Sequence, residues 1–203
     1  MTPPVQLYLI RHGETAWSLS GQHTGRTDLP LTAYGEQMAR DLAPSLMAIR
    51  FSRVLTSPRL RARTTCELAG LGAAAEIRSD LAEWDYGDYE ALRASEIRGA
   101  RPDWDIWRDG CPGGESPAAV SERADRLIAA LKQLDGPVAL FSHGQFGRVL
   151  AARWIGLAVR EGQHLTFAPA RVGILGYDGD HPGRKVISLW NATSGSLQAS
   201  ARV

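Results

Sequence analysis

The sequence predicts an α/β fold, a three-layer α/β/α sandwich with helices on both faces of one sheet. Three observations lead there. Short apolar runs alternate along the 203-residue chain with longer stretches of helical spacing. Two of the runs, "LYLIRHG" at 7–13 and "VALFSHG" at 138–144, stop at the same His-Gly pair, as strands do when they meet a site at the edge of an open sheet. The composition, 44% hydrophobic and 22% charged, is that of a globular chain, and the length suits one domain with a sizeable core, here spanning 1–203.

The elements follow in order. Val5–Ile10 is an unbroken apolar run and predicts a buried strand. Thr32–Ile49 predicts a helix with Thr32 as N-cap, kinked or divided at Pro44. Arg53–Thr56 predicts a short strand. Ser57-Pro58 predicts the next helix start, with Ser57 as N-cap and Pro58 in the first turn, and Gly70 or Gly72 ends that helix. Residues 80–114, rich in Trp, Asp, Arg and Gly, predict an insertion of loops and short helices over the site.

Ser116-Pro117 opens the clearest helix. Val120, Ala124, Leu127, Ile128, Leu131 and Leu134 repeat on one face of it. Val138–Phe141 predicts a second buried strand. Gln145–Leu157 predicts a helix closed near Gly156. Arg171–Tyr177 and Lys185–Asn191 predict two closing strands.

Composition also excludes. A net charge of +1 argues against a nucleic-acid or membrane-surface binder, so anion affinity must come from locally clustered arginines. Cys66 and Cys111 are two thiols in a long chain, too few for a disulfide framework. The first residues lack a basic n-region, and no run reaches the roughly 18 apolar residues of a membrane span. A cytoplasmic location is the resulting expectation. Oligomeric state is left open, a homodimer included.

The chemistry starts from the two strand ends. If the strands are parallel neighbours, His12 and His143 meet in one crevice, and Gly13 and Gly144 let the backbone approach a ligand closely. "TSPRLRARTT" sets Arg59, Arg61 and Arg63 in the first turns of a helix, where the macrodipole disfavours cations by a few tenths to about 1 kcal/mol. Solvent exposure and carboxylate partners would offset that cost for two of the three, and an anion held between a guanidinium and the helix start is the sharper alternative. Arg11, beside His12, adds a second planar fork. Two guanidinia and two imidazoles suit a dianionic phosphoryl group and suit a metal ion poorly. A neutral imidazole can attack phosphorus, and arginine charge stabilises the equatorial oxygens. The proton donor for the leaving oxygen is one of Glu83, Asp85, Asp88 and Glu90, and the residues alone leave that choice open.

"RHGET" at 11–15, "SPRLRAR" at 57–63, "LAEWDYGDYE" at 81–90, "GES" at 114–116 and "SHG" at 142–144, in this order, resemble the histidine phosphatase, or phosphoglycerate mutase-like, superfamily. The resemblance runs over roughly residues 5 to 178 and is nearest to the acid phosphatase and sedoheptulose-bisphosphatase-like members. It implies a mixed, mostly parallel sheet with one antiparallel edge strand. It implies His12 as the nucleophile that becomes phosphohistidine, with Arg11, Arg61 and His143 completing the phosphate pocket and Glu83 as general acid. No metal and no cofactor is implied. The partner is a small phosphorylated substrate or inorganic phosphate.

By family position, Gln22, Thr24 and Gly25 line the mouth, the Gln145 backbone N–H reaches a phosphate oxygen beside Gly144, and Ser18 stands where many members carry a substrate-binding Asn. Tyr86, with Trp84, Trp104 and Trp107, walls the cleft or covers the core. His23, His164 and His181 carry no expected role, and Arg148 is expected in a structural ion pair.

Three functions compete. The first is a metal-independent phosphomonoesterase acting on small metabolites such as sugar phosphates. The second is a bisphosphoglycerate-dependent phosphoglycerate mutase; against it, only 59 residues separate Glu83 from His143, and Arg101 and Arg108 are the only nearby substitutes for the basic pair mutases use. The third is a phospho-ligand-binding module without catalysis, disfavoured by the presence of both His12 and Glu83.

Overall fold

The computed structural model describes residues 4–200. The ends of the expected 1–203 span, residues 1–3 and 201–203, lie outside the described residues. Six strands form one sheet: β1 (Gln6–Arg11), β2 (Arg53–Thr56), β3 (Ala75–Ile77), β4 (Pro137–Ser142), β5 (Val172–Tyr177) and β6 (Lys185–Ala192), in the order β3-β2-β4-β1-β5-β6. The fold is the expected α/β sandwich. β1, β2, β3 and β4 are mutually parallel, and β5 runs against β1. One expectation is corrected here: the reversed strand is not the edge. β5 lies inside the sheet, and β6, antiparallel to β5, closes it.

The helices are α1 (Ala16–Ser20), α2 (Ala33–Arg40), α3 (Ala43–Leu46), α4 (Leu60–Leu68), α5 (Ala94–Ala100), α6 (Ile106–Asp109), α7 (Pro117–Leu131), α8 (Gly144–Trp154) and α9 (Ser194–Ser200). Successive strand side chains point to opposite faces, and this builds two cores. Leu7, Leu9, Val138 and Leu140 pack with Leu127 of α7 and Phe146 and Trp154 of α8. Ile10, Ala139 and Phe141 pack with Leu42, Leu46 of α3, Cys66 of α4 and Leu197 of α9. Each fully buried large side chain contributes about 1.5–3 kcal/mol. Both faces of the central strands are therefore covered, which is why they read as unbroken apolar runs.

Local chemistry explains most boundaries. The Thr32 hydroxyl accepts the Gly35 N–H at 2.9 Å, and Pro44 stands at the start of α3, so the 32–49 segment is divided as expected. Ser116 caps α7, accepting the Ala119 N–H at 3.1 Å. Leu134 falls beyond the end of α7 but packs on the same core.

The Ser57 expectation is corrected. α4 starts at Leu60 with Arg59, not Ser57, as N-cap; the Ser57 hydroxyl accepts the Arg59 N–H at 3.3 Å while also meeting the His143 ring, and Asp28 accepts the Leu60 N–H. α1 and α9 carry no apolar periodicity and were not expected. Nor was β3, whose three residues lack an apolar run and leave Ile77 exposed. Among the described residues no helix is long and apolar enough to cross a membrane.

Candidate active site

β1 and β4 are adjacent, parallel and in register, Arg11 opposite Ser142. The next residue on each is the histidine. Their rings meet edge to face with centroids 5.2 Å apart. The His12 N–H donates to the Ser142 carbonyl at 3.0 Å, so the first turn out of β1 is pinned to the end of β4. Gly13 is required there: a Cβ would stand 2.3 Å from the Gly35 carbonyl oxygen.

His12 is buried, and its Nδ1 lies 2.7 Å from the Gly13 carbonyl. A carbonyl only accepts, so Nδ1 carries the proton and Nε2 keeps a bare lone pair. Burial, then the charges of Arg61 and Arg11, hold the His12 pKa well below its usual range, against the opposing Gly13 bond. His143 is fully buried, and burial followed by Arg61, His12 and Arg11 holds it neutral in the same way.

The arginines divide the work. The Arg11 guanidinium lies flat on the first residue of α8, where a Cβ on Gly144 would stand 3.0 Å from its Cζ, and NH1 donates to the Phe167 carbonyl. Arg61 is fully buried. Its NH1 and NH2 donate to the carbonyls of Thr27, Thr24 and Gly25, which ties down the loop after α1. Nε of Arg11, Nε of Arg61 and Nδ1 of His143 are buried without a hydrogen-bond partner among the described residues, as is Nε of Arg59. Buried polar atoms left unmatched are rare and ask for a partner.

Glu83 reaches the start of α8. Its Oε1 accepts the N–H groups of Trp84 (2.9 Å) and Phe146 (2.7 Å), and its Oε2 accepts that of Gln145 (3.1 Å). The other three acidic residues are spoken for or turned away. Asp85 pairs with Arg26, Glu90 accepts the N–H groups of Gly25 and Thr27, and Asp88 is exposed.

These groups border a cleft of about 120 Å³, whose walls include Arg11, His12, Ser18, Gln22, Thr24, Glu83, Tyr86, Gly144 and Gln145. Nine of the twelve expected site residues thus share one cleft. Arg61 and His143 are buried beside it, and Gly25 is turned away, its N–H on Glu90 and its carbonyl on Arg61.

Two further contacts, after Gly25, differ from expectation. The Gln145 N–H is occupied by Glu83, so it does not face an anion. The Ser18 hydroxyl is spent within α1, accepting the Thr15 N–H and donating to the Thr15 carbonyl. Tyr86 walls the cleft, its pKa raised by burial and then by Glu83, whereas Trp84, Trp104 and Trp107 belong to the core. Arg101 and Arg108 are exposed, bound to Tyr89 and Asp109, and neither borders the cleft.

A match to the family model described as the histidine phosphatase superfamily (branch 1) extends over residues 7–193. The chain belongs to the histidine phosphatase superfamily. It is 44% identical over 178 residues to the acid phosphatase of Mycobacterium tuberculosis (strain ATCC 25618 / H37Rv), covering 85% of this chain and 87% of the relative. It is 40% identical over 186 residues to the sedoheptulose 1,7-bisphosphatase of Saccharomyces cerevisiae (strain ATCC 204508 / S288c), covering 75% and 68%. A solved structure of a functionally characterised open reading frame from Mycobacterium tuberculosis matches with a TM-score of 0.87 at 39% identity, covering 93% of this chain and 98% of that one. By family this histidine phosphatase is an enzyme, a phosphatase.

The cleft also holds four residues that sequence reasoning gave no place there, Thr15, His23, Arg148 and Phe167, and two of them carry titratable side chains. Arg148 borders it with no carboxylate partner among the described residues: it donates to Gly162 and Gln163 carbonyls and the Gln145 side chain, and lies over the Trp107 ring at 4.7 Å. The expected ion pair is absent because that turn of α8 faces the cleft. Its place one turn after Gln145 is the signal that could have found it. His23 also borders the cleft, clamped between Tyr86 and Trp104, with Nδ1 2.7 Å from the Leu92 carbonyl.

Proposed function

We propose that this phosphatase is a metal-independent phosphomonoesterase that works through a phosphohistidine on His12. One observation carries the reading. His12 is a buried, neutral imidazole with its proton tied to Gly13, so its Nε2 lone pair is free beside Arg11 and Arg61. Nε2 attacks phosphorus, the P–O ester bond breaks, and Glu83 passes a proton to the leaving oxygen. Oε1 already accepts two N–H groups and Oε2 one, so Oε2 is the oxygen that carries that proton. Water then attacks the phosphohistidine while Glu83 takes its proton. The P–N bond breaks, and inorganic phosphate and neutral His12 return.

Arg11 and Arg61 supply the positive field for the phosphoryl oxygens. The small polar cleft suits a small phosphorylated metabolite, sugar phosphates included, in keeping with the names of the two relatives above. The test is hydrolysis of p-nitrophenyl phosphate in EDTA by the wild type and by His12→Ala, with acid-labile phosphate labelling of His12. Turnover that persists in His12→Ala refutes the mechanism.

A further inference from the structure

His143 is neutral when buried, and a neutral imidazole has one proton for two nitrogens. Which nitrogen carries it decides whether the ring offers an anion an N–H or a lone pair. The bonding of Ser57 answers this. Ser57 is fully buried, and its Oγ meets two polar atoms: the Arg59 backbone N–H at 3.3 Å and Nε2 of His143 at 2.7 Å. The Arg59 N–H can only donate. Among the described residues, the one acceptor within reach of the Ser57 hydroxyl proton is therefore Nε2 of His143.

If Ser57 donates to Nε2, the ring's own proton sits on Nδ1, and every polar atom of the Ser57 hydroxyl is satisfied. The opposite tautomer strands that proton, since no other acceptor meets it among the described residues. Nδ1 of His143 is buried without a partner, the condition it shares with Nε of Arg11 and Nε of Arg61. With the proton on Nδ1, all three are N–H donors of one kind. With the proton on Nε2, His143 would instead turn a lone pair on a phosphoryl oxygen.

We infer that Ser57 is a positioning residue of the phosphatase reaction: its hydroxyl fixes His143 as the Nδ1–H tautomer, so that His143 meets the phosphoryl group as a hydrogen-bond donor. The inference rests on His143 belonging to the phosphoryl site, and it adds a residue that reaches the substrate only through another. Hydrogen-bond partners that orient metal-binding histidines change affinity or activity by about 10- to 100-fold, and the same scale is expected here.

Long-range ¹H–¹⁵N spectra distinguish a protonated from a bare ring nitrogen. In the wild type, Nδ1 of His143 should be the protonated one; a protonated Nε2 overturns the inference by itself, whatever any variant does. In Ser57→Ala the single Nδ1–H form should be lost, and inorganic phosphate should bind about 10- to 100-fold more weakly. Ser57→Thr, which keeps the hydroxyl, should restore both. A folded Ser57→Ala protein with the wild-type tautomer and phosphate affinity also overturns it. None of these readouts needs turnover, so a failed phosphohistidine step, seen as activity in His12→Ala, is told apart from a failure here.

Discussion

The two His-Gly turns are nearly the same on paper and opposite in chemistry. Each follows an apolar strand, each strand is parallel to the other, and each histidine is buried and held neutral by desolvation and the same two arginines. They differ in which nitrogen is taken. His12 gives Nδ1 to the carbonyl of its own neighbour, Gly13, which leaves Nε2, the nucleophile of the mechanism proposed above. His143 gives Nε2 to Ser57, 86 residues away in sequence, which leaves Nδ1. One ring therefore presents a lone pair and the other, on the tautomer inferred above, an N–H. A local bond fixes the first ring; a long-range bond fixes the second.

Replacing each ring by alanine is the direct way to break that comparison. His12→Ala should lower kcat by about 10⁴-fold or more, because the covalent path is lost. His143→Ala should cost about 10²–10³-fold, the scale of losing one donor to a developing charge. Equal losses in steady-state assays would mean that the two rings are not divided into nucleophile and donor. Glu83→Gln keeps the shape but not the proton. It should reduce hydrolysis of an alkyl phosphate about 10²–10⁴-fold. With p-nitrophenyl phosphate, whose leaving group needs little protonation, the loss should be roughly tenfold or less. Comparing kcat on the two substrates checks the role.

The shared neutrality of the rings sets a pH dependence of stability. Both folded-state pKa values lie below the ordinary value near 6.5, so on acidification the unfolded chain takes up these protons first. Their contribution is intact above about pH 6.5 and is lost as pH falls toward the folded-state values, at up to about 1.4 kcal/mol per pH unit for each ring. Urea unfolding at several pH values should show this slope, and His143→Gln should remove one ring's share of it. Smallest of the expected effects, Arg148→Met should raise KM about three- to tenfold with kcat little changed, since this cation borders the cleft without touching His12 chemistry. A fall in kcat with KM unchanged would move Arg148 from binding to the chemical step.

Much of the fold was legible because its signals are local. β1 and β4 are apolar runs packed on both faces, and the Thr32 and Ser116 hydroxyls accept the N–H groups three residues downstream. β3 was not legible: three residues at the edge, two of them exposed, bury too little to leave a pattern. The site splits the same way. The strand-end histidines and Arg11 could be read from their own neighbourhoods. Glu83 could not be separated from Asp85, Asp88 and Glu90 by local chemistry, and only the family motif pointed to it. In space Glu83 is the one of the four that borders the cleft and reaches the first turn of α8.

Sequence by itself therefore determined the layers, the strand-end placement of His12 and His143, and the abundance of cationic groups around them, since burial periodicity and turn chemistry act between near neighbours. Tertiary structure decided how those groups are used. It took Ser57 from the expected helix cap to the His143 ring, took the Gln145 N–H from phosphate to Glu83, and turned Arg148 toward the cleft. Each of those outcomes is a competition for one hydrogen bond or one open face among partners far apart in the chain, and it is settled only when the folded backbone brings them within 3 Å or so of each other.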